Sequence, residues 1–294
     1  MIQEAEIWHI YNEKVKSATD ITASYNARLE EEWNEQLKLQ ECRDVENARK
    51  HIILPYSEDK WEKFGKRPDS VNPYLWQSRI NAEFAGVYRM ADDYYVVTGA
   101  AVSEIAFIKG KTGWVAIDTG ANETEAAIST ELAERASGEA ISCNITALII
   151  THTHYDHFGG AGYYVTEGKT VVYGPAEYEQ SLVDDNLYAG RAMSRRLVYQ
   201  SGLELAGTDY EPQGCGVQKI FAGKGKAVTT IPDIFIDSEK SLLIDGIQFT
   251  FVPAPNTETR AHMTVYDNTH KVLALGGIYQ WEHCIIHILC EVRE

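Results

Sequence analysis

Thr151-His152-Thr153-His154-Tyr155-Asp156-His157 follows directly on the apolar run Ile145–Ile150, and it constrains the chain more than anything else in its 294 residues. A hydrolytic metal site needs imidazole and carboxylate donors that converge from a rigid element and leave coordination positions open for water. His152 and His154, two apart at the end of a buried strand, can point to one side and grip one ion. Asp156 and His157, further round the turn, can reach a second ion, and a two-ion site supplies a hydroxide nucleophile near neutral pH. A histidine-rich turn capping a helix is the plainer alternative. It would serve for one histidine, but three histidines and an aspartate in this order favour metal. Phe158-Gly159-Gly160 lets the next helix start close against the loop. Asp118 also ends an apolar strand, Trp114–Ile117, and either orients a ligand histidine or merely turns the chain before Gly120. Zinc is the default ion for these donors, although manganese and iron accept them too.

Around this motif the pattern is that of an α/β chain. Residues 1 to about 50 are rich in Glu, Lys, Gln and Asn, with Leu29, Trp33 and Leu37 on one helical face. This predicts exposed helices that offer a contact for a homodimer. Pro55, Gly65, Pro68 and Pro73 then mark a meandering linker. Strands are predicted at Val87–Met90, Tyr94–Thr98, Ile105–Lys109 and Trp114–Ile117, a helix over Glu123–Ala136, and a strand over Ile145–Ile150. Further strands are read at Val171–Tyr173, Leu242–Ile244, Ile247–Val252, Val265–Tyr266 and Val272–Leu275. A helix with proline near its first turn is read over Pro175–Asn186. Asp245-Gly246 is a two-residue hairpin signal. Hairpins, then strand–helix units, then more hairpins predict an αββα sandwich, two mixed sheets with outer helices, preceded by a helical N-terminal extension. The divisions expected are 1–70 for the extension and linker, 71–277 for the main domain and 278–294 for an atypical tail.

A formal net charge of −16 works against non-specific binding to nucleic acid or anionic membranes. It leaves room for a small anionic substrate held by local basic residues. No window approaches the 18 apolar residues of a membrane span. The five cysteines are scattered and never spaced as CxxC. With no apolar run after a basic start, no secretory signal is read and a cytoplasmic location is expected.

The sequence resembles the metallo-β-lactamase superfamily and, within it, the alkyl sulfatases. Val71-Asn72-Pro73-Tyr74-Leu75-Trp76, Asn81 and Gly86-Val87-Tyr88 resemble that family's opening segment, and His152–Gly160 its HSHVDHFGG. Ala189-Gly190-Arg191-Ala192-Met193-Ser194-Arg195-Arg196 resembles its AGNAMSRR, and Pro255–Met263 its PGTEAPAEM. The resemblance runs from roughly residue 45 to 277. It implies metal ligands at His152, His154, Asp156 and His157, with a further carboxylate ligand at Glu258. It implies Tyr199 as a sulfate contact, alongside Asp156 in the catalytic set. Arg195 and Arg196 offer planar donor forks for the sulfo group. Gly223 and Gly225, in Gly223-Lys224-Gly225-Lys226, resemble a glycine loop whose N–H groups hold an anion. The function implied is hydrolysis of an alkyl sulfate ester to alcohol and sulfate at a site of two zinc ions.

The departures matter as much. His262 replaces the second glutamate of the family's EAPAE, Arg191 replaces its asparagine, and Gly277 stands where a further glutamate ligand is expected. Residues 278–294 follow no family pattern, and Glu282, His283 and His287 do not reproduce the ligand order. These departures imply a C-terminally shortened member with an incomplete second ion site. Two alternatives accompany the sulfatase reading: another hydrolase of the superfamily, acting on a thioester, lactone or phosphodiester, or a catalytically impaired fragment that keeps the fold.

Overall fold

The structure, a computed structural model, describes residues 52–55, 85–200, 225–277 and 290–291. The helices expected in residues 1–50, the segment Val71–Trp76 with Asn81, Gly223, and Glu282, His283 and His287 lie outside the described residues.

Alternation of side chains builds the three described layers. Strands β1 (Ile52–Pro55), β2 (Gly86–Ala91), β3 (Tyr94–Thr98), β4 (Ile105–Lys109) and β5 (Trp114–Ile117) form antiparallel neighbours. Strands β6 (Ile145–Ile149), β7 (Val171–Pro175) and β8 (Ile234–Ile236) then continue the sheet in parallel from β5. The eight strands lie side by side in chain order. Tyr94, Val96, Ala106, Ile108, Val115 and Ile117 point into a core shared with the second sheet. Their neighbours Tyr95, Val97, Ile105, Phe107, Trp114 and Ala116 point into a core under the helices. A strand buried on both faces has to be apolar throughout, which is why β3 to β5 read as nearly unbroken hydrophobic runs.

The second sheet comprises β9 (Lys240–Ile244), β10 (Ile247–Pro253), β11 (Met263–Asp267), β12 (Val272–Ala274) and β13 (Cys290–Glu291). All its pairings are antiparallel, so of the two sheets expected to be mixed only the first is. Ile247, Phe249 and Phe251 face the core, while Gln248, Thr250 and Val252 face outward and are partly open. One wet face is what an antiparallel sheet tolerates and a parallel one does not. The Asp245-Gly246 turn takes positive φ at both residues, 46° and 88°, as a tight hairpin requires.

Helix α1 (Glu123–Ser137) covers the first sheet with Ala126, Leu132 and Ala133. Asn122 opens it by accepting from Thr124 N at 3.0 Å and Glu125 N at 3.1 Å, and Gly138 at φ 74° closes it. Two short helices come next, α2 (Tyr155–Phe158), which takes in the end of the histidine motif, and α3 (Ala161–Tyr164). The single helix expected from Pro175 is different in the structure. Pro175 ends β7, where it pairs with Ile236 of β8. The helix α4 begins at Tyr178 and runs to Val183, and it passes into a π-helical turn, Asp184–Tyr188, before α5 (Gly190–Gln200). Strands β1 and β13 lie outside the span 71–277 expected for the main domain, and each extends one sheet at an edge. No helix among the described residues is long and apolar enough to cross a membrane.

Candidate metal centre

Parallel strands β5 and β6 end together, and their ends build the site. Asp118 N donates to Ile149 O at 2.8 Å, which brings the Asp118 carboxylate beside the start of the histidine loop. That carboxylate is buried and takes three groups. Thr151 N donates to it at 2.8 Å, Thr151 Oγ1 donates to it, and His157 Nδ1–H donates at 2.8 Å. Fixing His157 through Nδ1 leaves Nε2 as the ring nitrogen that could face an ion, 3.4 Å from Asp156 Oδ2. Asp118 therefore sits where an orienting partner has to sit, and its φ of 59° makes the sharp exit from β5.

The glycines after the motif answer to close packing. A Cβ on Gly159 would fall 2.1 Å from the Ala121 carbonyl oxygen, and one on Gly160 2.2 Å from that of Thr119. The 119–121 loop and the histidine loop touch backbone to backbone, so the ends of β5 and β6 stay aligned.

The second sheet brings the other wall. His152 forms an antiparallel bridge with His262, and Met263 N donates to Thr151 O at 2.9 Å. The loop before β11 thereby carries Glu258 to the histidines. His152 Nε2 lies 3.3 Å from His154 Nδ1, and His154 Nδ1 lies 3.3 Å from Glu258 Oε1. All three donor atoms fall within 4.8 Å of one another. Donors about 2.0–2.2 Å from one tetrahedral ion stand roughly 3.3 Å apart, so His152, His154 and Glu258 fit a zinc-like ion. Asp156 and His157 form an adjacent pair, with the His152 and His157 ring centres 4.0 Å apart.

Charge on the three-donor group suits a cation. Burial, reinforced by the neighbouring rings of His157, His262 and His154, drives the His152 pKa well below its ordinary value, so this imidazole is neutral and free to donate a lone pair. Burial also opposes charge on His157, but Asp156 and Asp118 outweigh it and hold its pKa well up. Burial would raise Asp156, yet His157 and His154 bring it below the usual carboxylate range. The His154 contact lowers Glu258 against the effect of burial. Both carboxylates are anionic at neutral pH.

Arg195 and Arg196 are exposed on α5. The backbone of Tyr199 lies in α5, while its side chain lies outside the described residues. Gly225 packs on the start of α1, where a Cβ would fall 2.0 Å from Asn122 Oδ1. The segment after it runs beside the motif, with Val228 N donating to Gly159 O at 2.8 Å.

His262 went unrecognised in the sequence as a site residue. It is buried, its ring stacks on His152 at 4.8 Å, and its Nε2–H donates to Leu275 O at 3.0 Å, which leaves Nδ1 without a partner. The only signal was its departure from the family pattern at that position. Gly277 also gains a meaning, since a Cβ there would fall 2.7 Å from Glu258 Cγ. In this chain Glu258 occupies the space beside position 277.

The profile of the metallo-beta-lactamase superfamily matches residues 99–276, and the chain belongs to that superfamily. Within it, the alkyl/aryl-sulfatase BDS1 of Saccharomyces cerevisiae is 32% identical over 215 residues, 71% of this chain and 32% of that protein. A linear primary-alkylsulfatase of Pseudomonas is 28% identical over 89% of this chain and 41% of its own length. The solved structure of the stereoselective inverting sec-alkylsulfatase Pisa1 from Pseudomonas superposes with a TM-score of 0.68 at 27% identity, over 86% of this chain and 42% of that one. The chain thus spans between about a third and two fifths of the length of these alkylsulfatases.

Proposed function

We propose that this chain is a metal-dependent sulfuric ester hydrolase that cleaves alkyl sulfate esters, with water, to an alcohol and sulfate. The observation that carries this reading is the convergence of His152 Nε2, His154 Nδ1 and the Glu258 carboxylate in a chain similar to alkylsulfatases along most of its length. Zinc is the ion proposed. Bound there, it would lower the pKa of a water molecule and polarise the ester. The chain's own residues then do the rest. Asp118 fixes the ring of His157, and Asp156 stands as a carboxylate beside it. Arg195 and Arg196 provide cationic forks for the sulfo oxygens, the Tyr199 phenol donates a hydrogen bond to them, and backbone N–H groups at Gly223 and Gly225 complete the anion contacts.

One tight ion per chain is proposed, because His152, His154 and Glu258 are the one three-donor group among the described residues. Release of sulfate from dodecyl sulfate by the zinc-loaded chain, lost on chelation and restored by zinc, is the expected result. A chain that hydrolyses a thioester and leaves the sulfate ester intact would refute the assignment. Metal analysis that returns two tightly held ions would refute the single-ion part.

A further inference from the structure

Between the two metal-binding histidines sits Thr153, fully buried and not itself a donor to the ion. Its hydroxyl lies 2.6 Å from Ser181 Oγ and donates toward Asp185 Oδ2 at 3.1 Å, while Ser181 Oγ lies 3.2 Å from the same carboxylate oxygen. Two hydroxyl protons serve these three contacts. One hydroxyl donates to the carboxylate and the other donates to the first hydroxyl, so the triangle is satisfied only with Asp185 as an acceptor. Asn186 Nδ2 donates to Thr153 O at 3.2 Å and pins the same residue from its backbone side.

The same short stretch of chain also holds the glutamate loop. Ala261 N donates to Ser181 Oγ at 3.3 Å, so this one fully buried hydroxyl contacts both the histidine loop and the loop that carries Glu258. On the surface, Arg260 donates to Glu177 at 2.9 Å and to Asp184 at 3.4 Å. The loops come from different sheets, and α4 with its π-helical turn is tied to both. A π-turn in such a place is a departure from regular helix that brings Asp185 and Asn186 round to one residue.

We propose that Ser181 and Asp185 are positioning residues, which set the register of the histidine loop against the Glu258 loop so that both can donate to one ion. This rests on reading His152, His154 and Glu258 as ligands, and not on the sulfatase reaction.

Zinc affinity of the purified full chain, measured by competition with a chromophoric chelator, tests it. Ser181→Ala and Asp185→Ala lose tenfold or more in affinity, with melting temperatures in chelator close to the parent's, and Asp185→Asn, which keeps an acceptor oxygen, retains most of it. Affinities of both alanine variants within twofold of the parent would overturn the proposal while leaving the ligand reading intact. A parent that binds no zinc would remove both. Should the variants fail to fold, hydrogen exchange of the parent decides. Zinc then slows the Ala261 amide and those of residues 178–188, and protection confined to residues 152–158 and 256–260 counts against the proposal.

Discussion

A single carboxylate does most of the organising among the residues of the site. Asp118 is buried and binds Thr151 twice and His157 once, so it defines both the start of the histidine loop and the tautomer of one ring. Asp118→Asn keeps the size and removes the charge. It is expected to weaken zinc binding about 10–100-fold, as loss of a supporting hydrogen-bond partner does, because Asp118 holds Thr151 at the head of the loop that carries His152 and His154, and chelator competition measures it. Gly277 makes a sharper test of geometry. Gly277→Ala puts a methyl against Glu258 Cγ, and the flexible glutamate yields, moving away from His154. Zinc affinity falls about tenfold, on the order of 1.4 kcal/mol, with little change in melting temperature. An unchanged affinity would show that Glu258 is not held where the ion needs it. Asp118 was legible in the sequence only as one of two readings, an orienting partner or a turn residue, and it serves as both, with φ 59° and a bond to His157. His262 was not, because its place depends on a backbone bridge to His152 that no local pattern encodes.

Secondary-structure elements were legible where burial alone decides them. Strands β3, β4 and β5 coincide with their predicted limits, since both of their faces are buried and each run is bounded by turn residues. Pro175 misled, because a proline with helix-forming residues after it looks like a first turn. What decides the matter is the pairing of Gly174 and Pro175 with Phe235 and Ile236, far along the chain. The β9–β10 hairpin was read correctly as a turn, but its second role was invisible. Asp245 reaches across to the β4–β5 turn and takes hydrogen bonds from Thr112 N at 2.9 Å, Thr112 Oγ1 at 2.7 Å, Gly113 N at 2.9 Å and Thr146 Oγ1 at 2.9 Å. It pins one sheet to the other at the end away from the metal loops. Burial opposes its charge, but the Thr112, Thr146 and Gly113 donors outweigh this and lower its pKa. A lowered folded-state pKa gives stability that is present above the ordinary carboxylate range and lost as pH falls through the folded value. Asp245→Ala should therefore cost about 2 kcal/mol at neutral pH. Melting curves of parent and variant should converge in acid, and a gap that persists at low pH would contradict the carboxylate's role.

The whole molecule joins two sheets, and the candidate ion sits across the joint. His152 and His154 come from the end of β6 in the first sheet, and Glu258 from the loop before β11 in the second. An ion that binds only when the sheets are docked stabilises the docked form, by about 4 kcal/mol at a thousandfold excess over Kd. Calorimetry with and without zinc is expected to show this as a rise of about 8–16 °C at 2–4 °C per kcal/mol, and Glu258→Ala should abolish most of it. The overall class of fold was readable because the histidine motif marks its strand and the hydrophobic runs mark the rest. The register in which the halves meet was not readable, since the polar contacts across the joint, Asp245 to Thr112, Ser181 to Ala261 and the His152–His262 bridge, link residues from distant segments.

The chain order of the strands has one more consequence. Because β1 to β8 are neighbours in the sequence in which they are made, the first sheet can assemble as the chain emerges from the ribosome, one strand adding to the last. His152, His154, Asp156 and His157 therefore leave the ribosome ahead of Glu258. A nascent chain at that stage carries the histidine half of the proposed ion site, and emergence of the β10–β11 segment supplies the other half.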